Sequence, residues 1–260
     1  LETKSGPIQI VGIPWPTRNN ITLSNAHLLK SASEITEKIS STVAKLISNM
    51  AAELDPKIPA ILTGHLTISS GLFSGSERRA VYGTDPILLP SQLALEPFDY
   101  VALGHLHRYQ DLNKKGYPSV VYSGSIERID FGERKEDKGF CEVTIPKKNK
   151  ATHKFIKGPM RPFIQLEIYL EGEENQTEQI LKRIKSANVK DAIIKILYHL
   201  PENLNDKVNL KEVQRACESA MHIVGVIPVR QLSKRQMRAA TKVEMDLPQL
   251  LDAYFDSKEN

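Results

Sequence analysis

The apolar positions of this chain fall into short runs and longer stripes that switch between strand and helix spacing. Ile8 to Ile13 is an apolar run closed by Pro14-Trp15-Pro16, which predicts a buried strand leading into a loop. Ser31 and Glu34 stand at capping-box spacing, and Ile35, Ile39, Val43, Leu46, Ile47, Met50 and Leu54 form one stripe. They predict a helix that Asp55-Pro56 stops. Pro59 onward is a second short apolar strand ending in Thr63-Gly64-His65. Leu66 to Leu93 is a Ser/Gly-rich stretch with little period, as expected of a functional or mobile loop. Tyr100-Val-Ala-Leu then repeats the pattern of strand, glycine, histidine and ends in Gly104-His105-Leu106-His107. Ser119 to Ser125 and the alternating Gly139 to Ile145 predict two further strands.

Beyond residue 150 the pattern changes. Residues 151–162, with Gly158-Pro159 and Arg161-Pro162, read as a basic linker. Phe163 to Leu170 alternates as a strand, and Asn175 with Glu178 caps a helix carrying Ile180, Leu181 and Ile184 inward. Ala192, Ile194, Ile196, Tyr198 and Leu200 alternate as the next strand. Asn209 caps a helix bearing Val213, Ala216, Cys217, Ala220, Met221 and Val224, and Ile223 to Val229 finishes as a strand. This order predicts a small α/β domain over 163–232. Residues 233–260 form a basic segment and an amphipathic tail helix, with Leu247, Leu250, Leu251, Tyr254 and Phe255 at helical spacing. That stripe packs on its own domain or docks on a partner.

Composition narrows the class only a little. A chain of 260 residues can bury a sizeable core without disulfide or metal staples. Cys141 and Cys217 lack ligand spacing and suit a reducing, cytoplasmic setting. No apolar run nears the roughly 20 residues that span a bilayer, so no membrane association is expected. The net charge of +4 is mild, but the basic residues cluster. Pro146 to Pro162 and Arg230 to Lys242 contain lysines and arginines and no acid, which permits contact with a phosphate backbone without diagnosing it.

The chemistry lies at the strand ends. Two apolar strands each deliver Gly-His, and the second adds His107 two residues on. Ligands of open α/β sheets sit beyond the carboxyl ends of strands, and neutral imidazoles suit Mn, Fe or Zn. His65, His105 and His107 are therefore candidate metal ligands. His27, His153, His199 and His222 read as ordinary surface or core residues, and Trp15 as packing rather than base stacking.

The Gly104-His105-Leu106-His107 run resembles the GHxH motif of the calcineurin-like metallophosphoesterases, and Thr63-Gly64-His65 resembles their upstream single-histidine motif. The context from Phe98 to Arg108, Tyr122-Ser-Gly-Ser125, Ile129-Asp-Phe-Gly-Glu133 and Lys138-Gly139-Phe140 is similar to the SbcD-type DNA repair nucleases. The resemblance implies the rear part of a metallophosphoesterase β-sandwich flanked by helices over 1–150, followed by a small α/β DNA-binding capping domain. It implies Mn2+-dependent hydrolysis of DNA phosphodiesters in double-strand-break repair and hairpin processing. His65 and His105 would hold one ion and His107 the other. It also implies DNA as substrate, an SbcC-like coiled-coil ATPase as partner, and a homodimer. Arg108, Arg128 and Arg134 would meet DNA phosphates or simply solvate the rim.

The family's earlier motifs, an Asp-x-His, a bridging Asp and an Asn-His pair, have no counterpart before His65. The expectation is a C-terminal portion of such a nuclease, with no catalytic residue of its own. Three neutral imidazoles cannot offset two neighbouring dications, so the chain alone should bind at most one ion weakly and hydrolyse little. The same motifs leave open a phosphodiesterase for small substrates, or a non-catalytic DNA-binding or assembly module.

Overall fold

The computed structural model describes residues 1–17, 31–75, 77 and 85–231. It divides the chain into two compact units, Leu1–Arg161 and Pro162–Asn260. Both mix helix and strand, consistent with a metallophosphoesterase-like α/β fold.

In the first unit β1 (Glu2–Thr3) and β2 (Gly6–Pro7) form a small hairpin ahead of β3 (Gln9–Ile13). Helix α1 (Ala32–Ala52) separates β3 from β4 (Ala60–His65), and the two strands pair in parallel. The capping box is made as the sequence predicts: the Glu34 N–H donates to Ser31 Oγ, and the Ser31 N–H donates to Glu34 Oε2 at 2.8 Å. Burial of Ile39, Val43, Ile47 and Ala51 seats the helix on a core shared with Val11, Ile13, Leu62 and Val101. Each of the buried isoleucine, valine and leucine side chains contributes about 1.5–3 kcal/mol. Leu46, although in the apolar stripe, is exposed.

Beyond His65 the chain forms β5 (Thr67–Ile68) and β6 (Ile87–Leu88), a short parallel pair, within the stretch that looked aperiodic. Strands β7 (Tyr100–Gly104), β8 (Gln110–Asp111) and β9 (Ser119–Tyr122) complete a five-stranded sheet in the order β3-β4-β7-β9-β8. Only the edge strand β8 runs antiparallel to its neighbour. The amino end of β7 is anchored by buried Asp99, which accepts from the backbone N–H groups of Ala60 and Asn149, from Tyr117 Oη and from Lys148 Nζ.

Strands β10 (Gly139–Thr144) and β11 (Thr152–Lys157) form an antiparallel hairpin. This corrects the reading of 151–162 as a linker. The basic residues Lys154 and Lys157 are exposed on a strand whose His153, Phe155 and Ile156 are half-buried, and the register from Gly139↔Lys157 to Thr144↔Thr152 pairs it fully.

The second unit is a parallel sheet of β12 (Phe163–Tyr169), β13 (Ile193–Pro201) and β14 (His222–Gln231), connected through α2 (Gln176–Lys185) and α3 (Leu210–Ala216). Ile194, Ile196, Tyr198 and Leu200 alternate into a core with Ile180, Ile184 and Val213, as the period of two predicts. Two details differ from expectation. Asn175 precedes α2 in the left-handed region, at φ 59, and its side chain makes no capping bond. Helix α3 ends at Ala216, so Met221 and Val224 are exposed rather than packed on a helix face. Asn209 does cap α3, accepting from the Lys211 and Glu212 N–H groups. The basic segment and apolar stripe of 233–260 lie outside the described residues. Among the described residues no helix is long and apolar enough to cross a membrane.

Candidate metal centre

Parallel pairing places the carboxyl ends of β4 and β7 side by side, with His65 in register with Gly104. The residue after Gly104 is therefore aimed at the same point as His65. A Cβ on Gly104 would lie 3.3 Å from His65 Nδ1, closer than side chains ordinarily tolerate, so the glycine makes room for that ring. His105 itself sits at φ 102, a backbone region that non-glycine residues occupy only when their surroundings hold them there. Such strain concentrates at functional positions. An open depression of about 500 Å3 lies at these strand ends, lined by Gly12, Ile13, Pro14, Thr63, Gly64, His65 and Gly104.

His105 Nδ1 lies 3.2 Å from His65 Nε2. Two ligand nitrogens each about 2.1 Å from one ion, at tetrahedral or octahedral angles, stand about 3.0–3.4 Å apart. The observed separation is the edge of such a polyhedron. The other nitrogen of His105, Nε2, is buried and has no hydrogen-bond partner among the described residues. Asp85 Oδ2 is 3.5 Å from it, near enough to orient a ring proton electrostatically but too far for a good bond. Burial, helped by the neighbouring His65, pushes the His105 imidazole below the ordinary histidine value against the pull of Asp85. The ring is therefore neutral near pH 7, the form that binds metal. Trp15 lies against both rings, 4.6 Å between centroids from His105 and 5.3 Å from His65. The donor set fits one borderline cation such as Mn, Fe or Zn.

His107 is held differently. Its Nδ1 is 2.8 Å from Glu133 Oε1 and 3.2 Å from Glu77 Oε1. The His107 N–H donates to Glu77 Oε1 at 2.5 Å. Glu133 Oε2 in turn meets Lys138 Nζ at 2.9 Å and the Ile129 N–H at 3.1 Å. Burial alone would raise the Glu133 carboxyl, but Lys138, His107 and the Ile129 N–H together hold it below the ordinary glutamate value. Donor atoms of Glu77, His107 and Glu133 all lie within 4.8 Å of one another, the spacing that ligands of one ion would have.

No family model matches the chain. It is 30% identical over 188 residues to the SbcD component of the SbcCD nuclease from Staphylococcus epidermidis, covering 72% of this chain and 48% of that protein. The SbcD component of the SbcCD nuclease from Staphylococcus saprophyticus is 31% identical over 169 residues, covering 65% of this chain and 42% of its own length. The chain is an SbcD relative. It spans about half the length of the curated relatives it matches.

Within this SbcD-related chain, His65 and His105 come together, and His107 lies two residues further along the same loop with its ring turned to the two glutamates. The three arginines singled out from sequence are placed unequally. Arg128 donates through Nη1 to the Arg161 carbonyl and through Nη2 to the Glu136 carbonyl, and Arg134 donates to the Phe131 carbonyl. Arg108 is exposed. Sequence reasoning did not place Trp15, Glu77, Asp85, Glu133 or Lys138 at the metal centre. Glu133 and Lys138 carried a signal, since both belong to the SbcD-like runs Ile129 to Glu133 and Lys138 to Phe140. Glu77 and Asp85 carried none, because they sit in an aperiodic loop.

Proposed function

We propose that this chain supplies the histidine wall of a two-cation phosphodiesterase centre of the SbcD type, acting on DNA. The single observation that supports this reading is the 3.2 Å approach of His65 Nε2 to His105 Nδ1 at the ends of adjacent parallel strands. His65 and His105 would hold one ion and His107 the other, with Mn2+ the metal expected from the resemblance. Bound cations of this kind polarise a phosphodiester and lower the pKa of an attacking water. The chain's own part is to present imidazole nitrogens, to cover one side of His65 and His105 with Trp15, and to fix the orientation of His107. Two dications need anionic compensation that three imidazoles do not provide, so full activity calls for carboxylates beyond this set.

The proposed substrate is DNA at broken ends and hairpins, in double-strand-break repair, with an SbcC-like coiled-coil ATPase as partner and a homodimer as the assembly. Similarity to the SbcD components of two SbcCD nucleases supports the first two. Exposed Arg108, next to His107, is the candidate phosphate contact. The guanidinium groups of Arg128 and Arg134 already serve backbone carbonyls, so their part on DNA would be indirect.

The test is direct. Mn2+ binding to the chain, followed by calorimetry, should weaken at least 10-fold in H65A and again in H105A. Unchanged binding in both would overturn the metal assignment. Cleavage of hairpin DNA against bis-p-nitrophenyl phosphate, by the polypeptide that carries this chain, separates a nuclease from a small-ester phosphodiesterase. Turnover of the small ester alone would remove DNA as substrate.

A further inference from the structure

A neutral imidazole has one N–H, and the hydrogen bond made by one nitrogen decides which nitrogen is left as a ligand. The ring of His107 has a buried carboxylate oxygen, Glu133 Oε1, 2.8 Å from Nδ1. That carboxylate is in turn held by the ammonium of Lys138, and the side chains of Glu133 and Lys138 are 1% and 0% exposed. The same ammonium donates to the backbone carbonyl of His107 at 2.8 Å. One lysine thus ties both ends of the interaction, the carboxylate and the backbone that carries the ring.

We propose that Glu133, clamped by Lys138, is a positioning residue: it keeps the His107 proton on Nδ1 and so leaves Nε2 as the atom presented to a cation. This rests on the metal reading of His107 and deepens it. The arrangement is a carboxylate–histidine pair of the kind that orients metal ligands from behind. The grouping of Glu77, Glu133 and His107 is not itself the cation site, because its oxygens are already engaged. Glu77 Oε1 accepts the His107 N–H, and Glu77 Oε2 accepts the Ser74 N–H at 2.6 Å. Glu133 Oε1 accepts from His107 Nδ1, and Glu133 Oε2 accepts from Lys138 Nζ and the Ile129 N–H. An ion placed among them would displace these donors and face the Lys138 ammonium. A buried ion pair such as Glu133–Lys138 is weak evidence for stability, whereas holding one tautomer needs only a fixed oxygen acceptor at that place.

The proton position can be read directly by long-range 1H–15N correlation of the histidine side chains in the full 260-residue chain, free of metal. The expected result is a protonated Nδ1 and an unprotonated Nε2 at His107, with the proton moving substantially to Nε2 in E133A. The conservative variant E133Q, which keeps an oxygen acceptor, should restore the wild-type pattern. A role confined to packing would lower the melting temperature in E133A without moving the proton. Zn2+ is then added as the probe. The Zn2+ dissociation constant read at His107 Nε2 should rise about 10- to 100-fold in E133A and recover in E133Q. A wild-type ring protonated on Nε2, an unchanged tautomer in E133A, or Zn2+ shifting Nδ1 of His107 overturns the proposal. The wild-type measurement decides the matter even if E133A does not fold. Absence of any Zn2+ effect at His65, His105 and His107 would instead overturn the metal reading, while the tautomer still judges the role of Glu133.

Discussion

Trp15 lies over the ring of His105, with the two centroids 4.6 Å apart and the planes inclined by 37°. It is the only tryptophan in the chain, so its fluorescence reports this one place. The indole shields His105 from water on one side, and burial is the first cause of the low proton affinity of that imidazole. In W15A the His105 ring should titrate at a higher pH, closer to the ordinary histidine value of 6.5, as followed by NMR. Mn2+ added to the wild-type chain should quench the tryptophan emission, and the quenching should be lost in a chain lacking both His65 and His105 side chains. An unaltered titration of His105 in W15A would show that the indole is not what desolvates it.

The backbone of His105 offers a second test, at φ 102. Removing the ring in two ways separates backbone from side chain. H105G and H105A both lose the imidazole, but only glycine adopts this φ without strain. H105G should therefore be more stable than H105A by about 1 kcal/mol in denaturant unfolding, despite the entropic cost of glycine in the unfolded chain. Equal stabilities would mean that the loop relaxes to a negative φ when the ring is gone.

Gly124 has φ 78, and a Cβ there would stand 2.7 Å from the His107 carbonyl oxygen and 2.9 Å from the Tyr109 amide nitrogen. Both neighbours are backbone of the histidine loop and cannot swing aside. G124A should destabilise the first unit by about 2–3 kcal/mol and displace the His107 signals in the NMR spectrum. A variant with wild-type stability and unshifted His107 resonances would contradict this account of the close approach.

Asp99 provides a dependence on pH remote from the metal centre. Burial would push its carboxyl up, but the Ala60 N–H, Lys148, the Asn149 N–H and Tyr117 together hold it below the ordinary value of 3.8. Because the folded state binds the proton less readily than the unfolded chain, the ionised form contributes stability in full above about pH 5. That contribution is lost as pH falls through 3.8 and on below it. D99N should cost about 3 kcal/mol at neutral pH, since it leaves the half-buried Lys148 without its partner. The gap between wild type and D99N, measured by urea unfolding, should close between about pH 5 and pH 2. A gap independent of pH would mean that the charge of Asp99 is not what anchors β7.

Much of the local architecture was legible from residue order. The capping box of Ser31 and Glu34, the stripe from Ile39 to Ile47 and the alternation from Ala192 to Leu200 each appear where their periods placed them. These are short-range regularities, set by backbone hydrogen bonding and by which face meets apolar neighbours. The repeated pattern of strand, glycine and histidine likewise marked His65, His105 and His107 as candidate ligands. Reading failed where residue type and backbone state part company. Residues 152–157 are basic enough to look like a linker yet pair along a whole strand, because a hairpin edge tolerates charge on its outer face. Asn175 is a good capping residue by type, but its left-handed backbone turns the side chain away.

What the sequence determined by itself is the set of chemical groups: apolar strands that end in imidazoles, and a glycine ahead of each. Only the tertiary structure decided their company. Parallel pairing of β4 with β7 set His65 beside His105, loop closure brought Trp15 onto both rings, and Glu133 and Lys138 arrived behind His107 from 26 and 31 residues away. The reason is physical. Periodicity reports which face of an element is buried, whereas the position of a proton or the shielding of a ring depends on contacts between elements that no local pattern encodes.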